Sequence, residues 1–272
     1  MLRRLRVLAF APTLAALLLS PVPAHAYTWV PSSMASAGDS ITRAFDATWF
    51  GCFLTDCPQY SWSTGTSSTV NSQYLRLTVL NPALRGNVYN DAKSGAKMVD
   101  LGGQLNTAAA QHVDYITILM GGNDVCTSSV ATMTDTTTFQ SQFQSALTAF
   151  FGADATAHVY VSSLPNVNQL YNLLKTNPNA LSTWKSFNIC QSALPPGGTD
   201  ASRQQVAAQE VADDNALQAV CSLFPNCLYD GGAGYNFAFT TADVSTVDYF
   251  HPSVTGQKDI AAYTWQHSYW AS

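Results

Sequence analysis

The chain has 272 residues, of which 47% are hydrophobic and only 11% charged, with a formal net charge of −5. That apolar content supports a sizeable core and excludes a disordered chain. An acidic balance with no basic run excludes a nucleic-acid binder.

Met1 to Ala26 stands apart from the rest of the chain. Arg3, Arg4 and Arg6 form a positive head, Val7 to Leu19 is an apolar run broken only by Pro12 and Thr13, and Ala24-His25-Ala26 supplies a small-x-small cleavage site. The segment reads as a secretory signal. The Arg3-Arg4 pair raises twin-arginine export, but its flanks fit general secretion better. The apolar run is too short to span a bilayer comfortably, so no transmembrane segment is expected after cleavage. Cleavage removes three of 12 basic residues and none of 17 acidic ones, leaving 9 − 17 = −8. Six cysteines in an exported chain suggest three disulfides, with 15 possible pairings. Cys52 with Cys57 and Cys221 with Cys227 are spaced to close small loops, which leaves Cys126 with Cys190. No C-x-x-C pair or His/Cys cluster points to zinc, and no metal or other cofactor is expected.

Val30 to Ala37 reads as a buried strand that runs into the turn Gly38-Asp39-Ser40-Ile41. Thr48 to Thr66 mixes Trp49, Phe50, Phe53, Tyr60 and Trp62 with Gly, Pro, Ser and two cysteines, which suits a stapled loop. Val70, Tyr74, Leu77 and Leu80 recur at helical spacing, and Pro82 stops that helix. Asn87 to Asn90 is a short strand that leads into Ala92 to Ala96, and Met98 to Gln111 a helix. Tyr115 to Met120 is an uninterrupted apolar and β-branched strand that ends at Gly121-Gly122-Asn123-Asp124. Phe139, Phe143, Leu147 and Phe150 mark an amphipathic helix, followed by a strand from His158 to Leu164. Weaker helical patterns cover Gln169 to Phe187 and Arg203 to Phe224. The chain closes with Asp248-Tyr249-Phe250-His251-Pro252 and a helix from Val254 to Tyr269. Strands alternating with helices imply a mostly parallel sheet covered on both faces. Without a repeat or linker, residues 27–272 are expected to form one domain.

In such a sheet, ligands collect at the carboxyl ends of the strands. Ser40, Gly95 and Asn123 each follow a strand. Ester cleavage needs a nucleophile, a base and oxyanion donors. Ser40 is the candidate nucleophile, although Gly-Asp-Ser alone is also an ordinary turn. The amides of Ser40 and Gly95 and the side chain of Asn123 are the candidate donors. His251, before Pro252 and three residues after Asp248, is the candidate base with Asp248 as its orienting acid. Asp243 is the alternative acid. His112, His158 and His267 lie in or beside regular elements without a useful acidic partner. The order Ser, Asp, His does not fit chymotrypsin-like proteases, and the G-x-S-x-G elbow is absent.

Gly-Asp-Ser40, Gly95, Gly-x-Asn123-Asp and Asp248-x-x-His251, in that order over nearly the whole mature chain, resemble the SGNH, or GDSL, hydrolase superfamily. Ser61-Trp62-Ser63, Asn81 to Gly86, Asn90 to Ala96 and Gly121 to Cys126 are similar to its phospholipase B-like branch. Two departures, Ile41 after the serine and Ser36-Ala37 before the motif, leave the chemistry untouched. The resemblance implies a three-layer α/β/α, flavodoxin-like fold with a five-stranded sheet, a Ser-His-Asp triad, no metal, and hydrolysis of carboxylic esters with lipids prominent. A secreted monomer acting on lipid esters is the expectation. The competing readings are an acetyl esterase on polysaccharide and a binding module that has lost catalysis. Trp49, Phe50, Phe53 and Trp62 are candidates for an acyl-chain groove, or for a lid stapled by the first disulfide.

Overall fold

The structure is a computed structural model and describes residues 29–271; the expected signal segment lies outside them. Along the chain, β1 (Met34–Gly38) is followed by α1 (Gln73–Leu80), β2 (Val88–Asn90), α2 (Leu101–Ala110) and β3 (Tyr115–Leu119). Then come the short α3 (Gly122–Val125), α4 (Thr136–Ala153), β4 (His158–Val161), α5 (Val167–Leu174), α6 (Pro178–Phe187) and α7 (Asp200–Cys221). Strand β5 (Cys227–Tyr229), the short α8 (Ala233–Asn236) and α9 (Val254–Gln266) complete it. The five strands pair in parallel in the order β2-β1-β3-β4-β5. That order reverses direction between β1 and β3, so a crevice opens at their carboxyl ends.

Side-chain alternation assigns the two faces. Ile116 and Ile118 of β3 and Val159 and Val161 of β4 pack with Leu105, Phe143, Leu147 and Leu217 of α2, α4 and α7. Tyr115, Leu119 and Tyr160 point the other way, against Trp62, Leu77 of α1 and Ile260 and Tyr263 of α9. Strand β1 carries only small side chains on the α2 face, Ala35 and Ala37, so α2 approaches closely there. A third cluster, with Val167, Leu170, Trp184, Leu194 and Val206, joins α5, α6 and α7. The Cys126–Cys190 bridge lies at its edge, while Cys52–Cys57 closes a loop after β1 and Cys221–Cys227 ties α7 to β5.

The helical pattern over Gln169 to Phe187 is two helices rather than one. Asn177 is extended (φ −84°, ψ 112°), as a residue before proline prefers, and its side chain caps α6 by accepting from the amides of Asn179 and Ala180. Most other elements are a few residues shorter than the sequence pattern suggests. Strand β5, three residues on the sheet edge, is too short to leave a periodic signal.

Helix α7 buries three acids, two of which peg the connection after β4. Asp214 accepts from the Leu164 amide at 2.9 Å and Glu210 from the Val167 amide at 3.0 Å, while Asp213 accepts from Gln209. Burial pushes Glu210 and Asp214 up to about 8 and Asp213 up to about 7. Groups that hold protons more tightly when folded stabilise the fold below their ordinary pKa, and that stability is lost as pH rises through the folded value. The melting temperature should therefore fall as pH rises from 4.5 towards about 8. Glu210→Gln, which keeps an acceptor but cannot ionise, should reduce that slope by up to about 1.4 kcal/mol per pH unit. Thermal melts across this range compare the two proteins; equal slopes would show that Glu210 is not titrating there.

Candidate active site

Ser40 sits two residues beyond β1, on a turn that only glycine at position 38 permits. Gly38 has φ +152°, and a Cβ there would lie 2.5 Å from both the Leu119 carbonyl and Thr42 Oγ1. Gln104 of α2 holds the same residue from both sides: its Oε1 accepts from the Gly38 amide at 2.7 Å and its Nε2 donates to the Gly38 carbonyl at 2.9 Å. Asp39 is buried and accepts from the Ile41 amide at 2.9 Å, shaping the turn. Burial raises its carboxyl to about 6, opposed by the Ile41 hydrogen bond and the nearby His251.

The second and third strand ends carry the candidate oxyanion donors. Gly95 has φ +81°, and open space lies where its Cβ would be. The turn is held by Ser94, which donates to Asp56, itself paired with Arg43 Nε at 2.9 Å. Asn123, in α3, donates one side-chain N–H to the Ala96 carbonyl at 2.9 Å. An amide nitrogen has two donors, so this bond orients the side chain and leaves the second N–H available. Its neighbour Asp124 accepts from the Met98 amide, fastening α3 to the same segment. Ser40, Gly95, Asn123 and His251 line one pocket.

The Asp248–His251 segment is built as a tight loop. Val244 and Pro252 form an antiparallel bridge, Ser245 donates to the His251 carbonyl at 2.8 Å, and Tyr249 takes a left-handed conformation at φ +58°. Trp184 of α6 donates to the Tyr249 carbonyl at 3.0 Å. Asp248 accepts from the amides of Phe250 and His251 through Oδ1, and its Oδ2 bonds His251 Nδ1. His251 Nε2 lies 2.8 Å from Ser40 Oγ. This is the chain of contacts by which a carboxylate orients an imidazole and the imidazole draws a serine proton. Asp243 instead accepts from the Thr240 amide and hydroxyl. Of the other histidines, His158 stacks on Trp29 and His267 bonds the Tyr263 carbonyl.

The charges are arranged to keep Asp248 ionised. Burial alone would raise Asp248, but His251 and the two backbone amides outweigh it and lower its pKa. Burial likewise works against the His251 imidazolium, yet Asp248, Asp39 and Asp46 together raise it above 6.5. Asp46 carries no motif and escapes sequence reasoning; its only signal is an acid between apolar residues six positions after Ser40. It is 1% exposed, and its carboxyl lies within 4.8 Å of the ligating atoms of Asp248 and His251. Burial, then the Asp248 charge, pushes it to about 6. The Asp46, Asp248 and His251 group has the makings of a cation site, but both ring nitrogens of His251 are engaged, by Asp248 and Ser40. Hydrogen bonds join Asp248, His251 and Ser40, and Asp46 adds its charge beside them.

From Ser40 a cleft extends inward with about 890 Å³ of space, open mouth included, walled by Leu119, Val167, Phe237, Phe239, Ile260 and Tyr263. None of the four aromatic groove candidates lines it. Trp62 is fully buried in the α1/α9 core, where its Nε1 donates to Thr42, so it lines no groove. Trp49 and Phe53 border a separate groove on the other side of His251, and Phe50 stands 91% exposed. The first disulfide, Cys52–Cys57, lies within this loop.

Only a neutral imidazole can accept the serine proton, so ester hydrolysis should rise with pH through an apparent pKa above 6.5. Asp46→Asn removes one of the negative charges that hold the imidazolium and should move that acid limb to lower pH. Profiles of kcat/KM against pH for the two proteins decide it; an unmoved limb would make Asp46 purely architectural.

The profile of the GDSL-like lipase/acylhydrolase family matches residues 35–264. No curated protein sequence matches the chain. Among solved structures, a Parabacteroides merdae chain assigned to the GDSL-like lipases is 16% identical with a TM-score of 0.50, covering 86% of this chain and 94% of that one. Phospholipase A1 from Streptomyces albidoflavus is 15% identical with a TM-score of 0.50, covering 84% and 95%. A family 3 carbohydrate esterase of Clostridium thermocellum is 12% identical with a TM-score of 0.48, covering 86% and 93%. These likenesses concern the fold. The match over residues 35–264, most of the sequence, places the chain in the GDSL-like lipase/acylhydrolase family.

Proposed function

We propose that this chain is an exported serine esterase that hydrolyses lipid esters. The carrying observation is the Ser40–His251–Asp248 hydrogen-bond chain at the mouth of an apolar cleft. Apolar walls reward each methylene they remove from water by about 0.8 kcal/mol, which favours a long acyl group over acetate. The leader expected in residues 1–26 and three disulfides support export. No helix of the described residues is long and apolar enough to cross a membrane.

In the reaction, His251 Nε2 takes the Ser40 proton as Oγ forms a bond to the ester carbonyl carbon. The carbonyl electrons move onto oxygen, where the Ser40 and Gly95 amides and the Asn123 amide stabilise the charge. The tetrahedral species collapses, the carbon–alkoxy bond breaks, and His251 delivers its proton to the leaving alcohol. Water then attacks the acyl-enzyme, gives its proton to His251, and that proton returns to Ser40 as the fatty acid leaves. Asp248 remains ionised throughout and steadies the imidazolium.

Loss of one oxyanion donor typically costs ~10²–10³ in turnover, so Asn123→Ala should lose kcat by that order while melting like the parent. Near-normal activity in Ser40→Ala or His251→Ala would defeat the assignment. A series of aryl esters from acetate to palmitate, run beside a phospholipid assay, tests the substrate class. Activity at octanoate and beyond is expected; a sharp maximum at acetate would favour carbohydrate deacetylation.

A further inference from the structure

The aromatic loop displaced from the cleft has an unusual surface of its own. Trp49 is 53% exposed, Phe50 91%, Phe53 50% and Leu54 53%, four large apolar side chains in six residues. Residues 44–55 contain no Lys, Arg or Glu, and their one acid, Asp46, is buried. Asp56 just beyond is paired with Arg43, so the protruding face carries no free charge of its own. The loop is also braced. Cys52–Cys57 closes its base, Trp49 stacks on Phe53 at 5.3 Å, and Trp49 Nε1 donates to Thr246 at 3.1 Å. Across the groove, Phe187 at the end of α6 is 61% exposed and faces the same opening.

That opening leads to the catalytic residues, since Asp248 and His251 line the groove between Trp49, Phe53 and Phe187. A protein partner seated on this rim would cover an approach to His251. A surface made of substrate would instead deliver it there. A convex aromatic tip also fits a deformable partner, and aromatic side chains with one polar edge favour the boundary between lipid and water. With no cation on the tip, attraction to anionic headgroups is not its driving force.

We propose that residues 49–54, with Phe187 opposite, anchor the protein to an uncharged or zwitterionic lipid surface and set the groove that reaches His251 against it. This rests on the lipid-ester reading. Phe50 enters the acyl region, Trp49 and Phe53 lie at the headgroup level, and the disulfide keeps the loop formed before contact, which lowers the ordering cost of binding.

The test separates docking from catalysis. Ser40→Ala protein, which cannot consume the lipid, is mixed with phosphatidylcholine vesicles and sedimented, beside the same protein carrying Phe50→Asp. Partitioning is expected to fall at least about tenfold in the Phe50→Asp protein, since one large apolar anchor is worth that much or more. In the protein with Ser40 intact, Phe50→Asp should leave hydrolysis of a soluble aryl butyrate unchanged while hydrolysis of vesicle lipid drops by a similar factor. Phe50→Ser, which adds no charge, should show the same split to a lesser degree. Equal partitioning with and without Phe50 overturns the proposal. So does a parent that ignores vesicles but runs as a dimer dissociated by Phe50→Asp, which would make the patch an interface between two copies. If the parent binds vesicles through Phe50 yet hydrolyses only acetate esters, docking stands and the lipid-ester reading falls.

Discussion

The two hydrogen bonds between Gln104 and Gly38 set where everything else in the site must be. Strand β1 ends against the Leu119 carbonyl of β3, and the chain turns away there in a conformation that has no room for a side chain at residue 38. Gln104 gives the Gly38 amide its acceptor and shares the Gly38 carbonyl with the Lys93 amide, which donates to it at 3.1 Å. A buried backbone amide left without an acceptor would cost about 1–3 kcal/mol. The small residues of β1 let α2 come near enough to supply those partners. Ser40 inherits its position from this arrangement, and the later segments converge on it.

The electrostatics follow a similar economy of placement. Three carboxyls, Asp39, Asp46 and Asp248, surround one imidazole, and full ionisation of all three in a buried space would be costly. Two backbone amides and the imidazole keep Asp248 ionised to lower pH than its neighbours, while burial raises the other two to about 6. Similar side chains thus take different roles because their surroundings separate them. Helix α7 repeats the logic away from the catalytic residues, where Glu210 and Asp214 accept from backbone amides while burial keeps their pKa values high.

Much of the architecture was legible because it depends on local pattern. The apolar run of β3 and the helical spacing of α4 are set by the environments those elements occupy, and strand-end motifs mark where chemistry collects. What escaped depends on contacts far apart in sequence or on single residues. Gln104 meets Gly38 across 66 positions, and nothing in its own neighbourhood marks it out. Asp46 lies 202 residues from Asp248, and their proximity arises only when the 245–251 loop closes over it. Pro178 splits a helical pattern that looks continuous to periodicity alone. The aromatics show the limit most clearly: Trp62 and Phe50 share a composition signal, yet one is fully buried and the other 91% exposed. Hydrophobicity gives the tendency to leave water, and only the packed fold decides which side chain does.

The Cys126–Cys190 bridge has a bearing on when the site exists at all. Cys126 comes three residues after Asn123, and both cysteines wall the pocket that holds Gly95 and Ser40. Closing a loop of this length, across 64 positions, removes about 4 kcal/mol of unfolded-chain freedom in the chain-entropy account. Without that latch, the wall beside Ser40 and Gly95 is held by packing and by the bonds of Ser192 to Thr127 and Val125. Oxidation completes it. Under the export proposed above, the latch closes only once the chain reaches an oxidising surrounding, so the brace beside Ser40 is added where the proposed substrate would be met.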